Sequence, residues 1–226
     1  MPAPRPRPGA RPSRGHAGRR AHAAAAGAPD EATLAATALL GEQDLDAPSV
    51  GALYVPATKT AYFTESWSEE GTGIGRALVI VDATGHEERS EYQTPSMDDV
   101  EQAAGVTAAQ EALATRLRGQ AIVRLTGHAW PVVGDSTKAS ASMALPELDA
   151  SLEFKKGKLR ALDAKGKKLV EVDVGKDAER PHKPSPARVS YLAGSDVVLV
   201  DVAFDPGEGY SDGFNVYYKT YLLRLR

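Results

Sequence analysis

The chain has 226 residues, 42% hydrophobic and 25% charged, with a formal net charge of −3; that is the composition of one ordinary folded, soluble domain that can bury a sizeable core. It contains no cysteine, which excludes disulfides, thiolate nucleophiles and cysteine-based metal centres. The charge is uneven: residues 1–29 hold six arginines and no acid, so the other 21 Lys and Arg face all 30 Asp and Glu, and such an acidic body offers nucleic acid no basic face.

Residues 1–29 carry six of the fifteen prolines and almost nothing apolar enough for a core. Burial there cannot offset the entropy of ordering the chain, so this tail is expected to be disordered. Its end, Ala23 to Pro29, reads like the small-residue cleavage region of a secretory signal, but no apolar core precedes it. The expectation is that this start belongs to a different reading of the gene and that the natural protein is exported, secreted or periplasmic; a cytoplasmic protein is the alternative. Nowhere do 18 consecutive apolar residues occur, so no membrane span is expected.

Asp30 can cap a short helix over residues 31–40, stopped by Gly41. Strand-like stretches follow at 51–55 and 60–67, joined by a hairpin turn at Pro56 to Lys59. In the second, Ala61, Phe63, Glu65 and Trp67 share one face. A glycine loop from Glu70 to Gly75 leads into Ala77-Leu78-Val79-Ile80-Val81, an apolar run suited to a strand buried on both faces. Residues 86–93 form a polar strand suited to a sheet edge. The main helix is expected at about 98–118, started by Ser96 or Asp98 and split near Gly105, with Thr107 capping its second piece. Strand resumes at 121–125. Residues 127–147 look irregular, with a Ser/Thr/Ala-rich loop at 136–144. From Ser151 the polarity alternates through three strands to Val174, a meander with one wet face. A proline-containing loop at 176–186 precedes strands at 187–193, 197–204 and 214–225.

Several residue groups invite a chemical reading. Gly71-Thr72-Gly73-Ile74-Gly75 precedes a strand rather than opening a helix, which is the wrong setting for a dinucleotide phosphate cradle and the right one for a hairpin loop. Asp205, Glu208 and Asp212 stand on a glycine-containing stretch whose oxygens suit a hard cation such as calcium, although the spacing is not that of an EF-hand. Asp201 lies on the same strand face roughly 13 Å from Asp205. The alternative is a solvated turn between two strands. Glu65, Glu69, Glu70 and Asp82 are candidates for a glycosidase-type carboxylate pair. His86, His128 and His182 lack metal-ligand spacing, though His128 beside Trp130 and Pro131 can line a pocket. No serine-hydrolase elbow occurs. The lysine clusters at 155–158 and 165–168 sit on turns, where they solubilise the chain or meet an anionic partner. Tyr210, Phe214, Tyr217, Tyr218 and Tyr221 crowd the C-terminus, either packing a sheet or presenting a binding surface.

The stretch 51–85, with Thr60-Ala61-Tyr62-Phe63-Thr64-Glu65, the Gly71–Gly75 loop and the strand ending Val79-Ile80-Val81-Asp82, resembles a family of predicted secreted bacterial proteins of unknown function. An alanine-rich helix and a closing pair of strands like 197–225 complete the likeness. The resemblance implies an extracytoplasmic location and transfers no catalytic residue; this chain lacks the family's apolar leader and a clear Asp-Gly pair in the glycine loop.

The resulting expectation is an α+β, predominantly antiparallel fold: a disordered tail at 1–29, a short helix or linker at 30–44 and one β-rich domain at 45–226. Its function is expected to be non-enzymatic binding of a protein partner or small ligand through loops, with no cofactor. A carboxylate-dependent hydrolase and a calcium-stabilised structural domain are the alternatives. Oligomeric state stays open.

Overall fold

Alternating polarity sets the architecture. In a computed structural model, which describes residues 28–41, 48–69, 73–130, 141–178, 182–205, 207 and 216–225, two α-helices and three antiparallel sheets stack in four layers. Helix α1 (Glu31–Leu40) is capped by Asp30, whose side chain accepts from the Thr33 N–H, and it ends at Gly41. Helix α2 (Asp99–Leu117) is capped by Asp98, which accepts from Val100 and Glu101.

The first sheet contains β1 (Leu53–Val55), β2 (Thr60–Glu69), β3 (Gly73–Val81), β4 (Glu87–Gln93) and β5 (Val123–Arg124) in the order β4-β3-β2-β1-β5. The second contains β6 (Thr126–Ala129), β11 (Lys183–Tyr191), β12 (Val197–Asp205) and β13 (Tyr217–Arg224) in the order β13-β12-β11-β6. The third is the meander β7 (Ala141–Leu145), β8 (Ala150–Lys155), β9 (Lys158–Asp163) and β10 (Lys168–Asp173).

Each interlayer space is filled by one set of alternate side chains. Tyr62, Leu78, Ile80 and Tyr92 turn toward Leu39, Leu40, Leu113 and Leu117 of the helices. The opposite face of the same strands sends Ala61, Phe63, Val79 and Val81 against Val197 and Leu199. In β12 the intervening residues Val198, Val200, Val202 and Phe204 face the third sheet, meeting Leu152, Phe154 and Leu159. Two-sided burial therefore explains the apolar runs of both β3 and β12. The third sheet closes the stack with one wet face, where Arg160 pairs with Glu171 and Glu153.

Four expectations are corrected. The glycine stretch is not all loop, because Gly73 to Gly75 already belong to β3 and Gly75 pairs with Trp67. Helix α2 is continuous through Gly105, and the Thr107 hydroxyl donates back to the Ala103 carbonyl instead of capping. Residues taken as irregular form β6 and β7, the latter paired along its length with β8. Lys183 to Pro186, read as loop, is strand, because β12 supplies partners up to a bulge after Pro186. Edge placement of β4, buried β3 and the meander match the sequence reading.

Candidate functional site

The side chains of α2 change character along its length. Its last turns bury Leu113, Ala114 and Leu117, whereas the stretch before them offers Gly105, Ala108, Ala109 and Ala112 toward the sheet. Such short side chains cannot fill the space above Leu78, Ile80 and Tyr92. What remains is a groove of about 380 Å³ between α2 and strands β3 and β4. That volume lies within the range of ligand sites.

Two contacts between α2 and β4 bound the groove. At one end α2 approaches β4 so closely that a Cβ on Gly105 would stand 2.2 Å from the Tyr92 carbonyl oxygen. At the other end Arg116 Nη1 donates to Glu88 Oε2 at 2.8 Å. Between β4 and α2, Gln93 donates to Ile74 O and Gln102 Oε1, and Gln102 donates to Met97 O, which fixes the connection. The mouth carries Glu88, Ser90, Glu91, Met97 and Arg116. Burial pushes the Tyr62 and Tyr92 hydroxyls up in pKa, with Arg116 pulling the first back and Arg76 the second. Among the described residues neither the Tyr92 hydroxyl nor Arg76 Nε has a partner at hydrogen-bond geometry, although the Arg76 guanidinium acts on Tyr92 electrostatically.

On the opposite face of β4, Arg89 lies 4.6 Å above the Trp67 ring and 3.5 Å from Glu65. Trp67 lies against the backbone of Gly75, where any Cβ would meet its ring at 2.2 Å. Burial raises the Glu65 carboxyl above its ordinary pKa, and Glu87 adds to the rise. A desolvated carboxyl of this kind is what a catalytic acid needs. Its expected partners do not join it. Asp82 lies beyond the far end of β3, while Glu65 pairs with Ala77, four residues before Val81, so the two are at least roughly 13 Å apart along the strand. Asp82 instead accepts from Thr84 and His86 within its own turn. The side chain of Glu69, and Glu70 altogether, fall outside the described residues.

The acidic stretch around Asp205 divides. Asp205 is exposed at the end of β12 and accepts from the Gly207 N–H at 2.7 Å. Glu208 and Asp212, the other residues of the calcium reading, lie outside the described residues. Asp201 is not part of a solvated turn: it is fully buried between the first and second sheets. Its carboxylate accepts from the Ser49 N–H (3.2 Å), the Ser49 hydroxyl (2.8 Å) and the Thr220 hydroxyl (2.8 Å). Because Ser49 donates to Asp201, it accepts from Ser190 at 2.8 Å. Burial raises the Asp201 pKa against these hydrogen bonds. Among the described residues no group of three or more His, Asp or Glu is placed to hold a metal ion.

His128, His182, Tyr217 and Tyr221 serve packing, His86 is exposed on its turn, and Tyr210 and Phe214 lie outside the described residues. His128 stacks on Tyr191 at 4.8 Å and Trp130 is buried in the core, while His182 meets Tyr217 edge-on. Tyr221 donates to Asp177 at 2.7 Å and Lys219 to the same oxygen at 3.1 Å, tying the end of the third sheet to β13. The groove was missed in the sequence reading, although the small residues at 105, 108, 109 and 112 follow helical spacing and mark the face. The Asp201 network has no local signal, since Ser49 is 152 residues away. No helix among the described residues is long and apolar enough to cross a membrane. No protein-family model, curated protein or solved structure matches this chain, so the site is read from its own geometry.

Proposed function

We propose that this protein is a non-enzymatic binding module that receives its ligand or partner in the groove between α2 and β3–β4. The observation that carries this reading is the groove itself: an apolar floor of Leu78, Ile80, Tyr92 and Leu113 beneath a helix stretch of glycine and alanine, rimmed by charge. Concave, mostly apolar sites with a few polar groups at the mouth are where small molecules and peptides bind. The walls are a helix and two strands rather than loops, which holds the surface in one shape before binding and lowers the cost of ordering.

Nile red, a neutral dye that brightens in apolar sites, tests the groove. Ala112→Trp places a large ring across the mouth at an exposed position, where substitution costs within about 0.5 kcal/mol of stability. Wild type is expected to bind the dye and the variant to bind it about tenfold more weakly or worse, with an unchanged melting temperature. Equal binding by both forms removes the groove from the reading. The reading also puts the protein outside the cytoplasm, supported by the alanine-rich stretch before Pro29 and by the resemblance of residues 50–225 to secreted proteins. Sequencing the mature N-terminus of natural protein tests this, and a cytosolic product retaining residues 1–29 overturns it.

A further inference from the structure

From the dimensions of the groove we infer that its occupant is a small, uncharged, chain-like lipophile, of the kind of a medium-length fatty alcohol. The inference rests on the groove being a binding site, and it names the class of ligand. Length is limited at both ends. At one, the backbones of α2 and β4 close on each other at Gly105 and Tyr92, where Met97 adds a half-buried side chain. At the other, Arg116 crosses from α2 to Glu88 on β4 and acts on the buried Tyr62 hydroxyl as well. Gly105 and Arg116 stand eleven residues apart on one helix, roughly 16 Å along its axis. Spread over that length, 380 Å³ leaves a cross-section of about 24 Å², close to 5 Å on a side. Carbon atoms in contact stand ~3.5–4 Å apart, so a single hydrocarbon chain fills such a channel. A peptide helix or a strand with its side chains, ~10 Å across, does not fit between the ends. At about 30 Å³ for each water-sized group, the volume holds roughly a dozen of them. That is a dodecyl chain, which when extended is also about as long as the groove.

Charge decides the head group. Each charged side chain at the mouth is matched by one of opposite sign: Glu88 by Arg116 at 2.8 Å, and Glu91 by Arg89. The pairs cancel, so neither an anionic nor a cationic head finds an unmatched charge. Either would give up hydration on entering and gain nothing in return. Between the two ends, the groove-facing side of β4 contributes the Ser90 hydroxyl, opposite Leu78. A neutral hydroxyl, ester or amide head can hydrogen-bond there without separating either pair. Leu78, Ile80 and Leu113 meanwhile give the chain apolar contact along the floor.

The test titrates the full chain with straight-chain alcohols from hexanol to tetradecanol, each below its solubility limit, and reads affinity from displacement of Nile red. Location is read by NMR with decanol on protein labelled at its three methionine methyl groups, the Met97 signal being assigned with Met97→Leu. Affinity is expected to rise about fourfold per added methylene up to about dodecanol and then to stop rising. Decanoate and decylammonium are each expected to bind about tenfold more weakly than decanol or worse. The Met97 methyl signal is expected to shift with decanol. Arg116→Ser removes the barrier at the far end and is expected to move the break to longer alcohols. A wild-type affinity that keeps rising through tetradecanol, or a break that stays in place in Arg116→Ser, overturns the bounded channel. A charged analogue that binds as well as decanol, or an unmoved Met97 signal, overturns the neutral ligand at this site. Nile red binding that is lost in Ala112→Trp, together with no binding of any alcohol, overturns the chain-like ligand while leaving the groove. Absence of Nile red binding as well removes the groove. A dimer whose formation shifts the Met97 signal and excludes the alcohols assigns the groove to a second copy and overturns the proposal.

Discussion

Trp67 and Gly75 form a cross-strand pair in which one residue supplies a large ring and the other supplies nothing but backbone. The ring lies over Gly75 and Arg89 lies over the ring, so a side chain on β4 is anchored by a glycine on β3. Gly75→Ala puts a methyl where the indole stands, and the ring has to leave. The expected cost is about 1–2 kcal/mol, the usual size for one inserted methyl in a packed site. Emission should report the change directly. Trp130, the second of the two tryptophans, is buried in the core, so a red shift in Gly75→Ala comes from Trp67 entering water. Unchanged emission together with unchanged stability contradicts this account of the pair. Sequence alone shows glycines at 71, 73 and 75 and suggests a loop; only the register of β2 on β3 reveals that one of them is a seat for an aromatic ring.

At the scale of elements, Gly105 sets two rules against each other. In an isolated helix, replacing an interior glycine by alanine gains about 1 kcal/mol. Here the new methyl would stand 2.2 Å from the Tyr92 carbonyl, a backbone atom at the bulge where β4 shifts register against β3, so α2 has to lift away. Overpacking of this kind costs about 1–3 kcal/mol. Gly105→Ala is therefore expected to lower stability in chemical denaturation and to change Nile red binding in the adjacent groove; a more stable variant contradicts the close approach. The same residue shows what sequence can and cannot carry. Periodicity and caps marked both helices, because Asp30, Asp98 and the leucine spacing are local. Alternation marked the meander and the edge character of β4. The split expected at Gly105 failed because a glycine kept for close packing and one that ends a helix look identical along the chain. Strands β6, β7 and the start of β11 were hidden for the same reason: Pro184 and Pro186 argue against strand locally, and it is the partner β12, fixed from outside the segment, that overrides them.

Across the whole molecule, the first and second sheets share an interface that is apolar around Phe63, Val79 and Leu199 and polar at Asp201. Ser49 reaches Asp201 from the turn before β1 and Thr220 reaches it from β13, while Ser190 of β11 bonds to the Ser49 hydroxyl, so one network joins an early segment of the fold to three strands near its end. Its raised pKa makes the fold respond to pH in a definite direction. The folded state holds the Asp201 proton more tightly than the unfolded chain does. Its favourable contribution is complete below the ordinary aspartate value of 3.8 and is lost as pH rises through the folded pKa. Asp201→Asn keeps the shape and the acceptor oxygen toward Ser49 but does not titrate. The variant should lose about 1 kcal/mol in acid, where the wild-type carboxyl is neutral and fully hydrogen-bonded, and less as pH rises toward neutrality, where the wild type holds a buried charge. Asp201→Leu strands the Ser49 N–H and the hydroxyls of Ser49 and Thr220 without an acceptor and should cost about 1–3 kcal/mol for each buried donor left unpaired. Denaturation of all three forms from about pH 4 to pH 8 measures both effects, with the wild type minus Asp201→Asn difference shrinking as pH rises. A difference that stays flat or grows over that range means Asp201 is ionised throughout, and the network then works as a fixed buried anion held by three donors rather than as a group the fold keeps protonated.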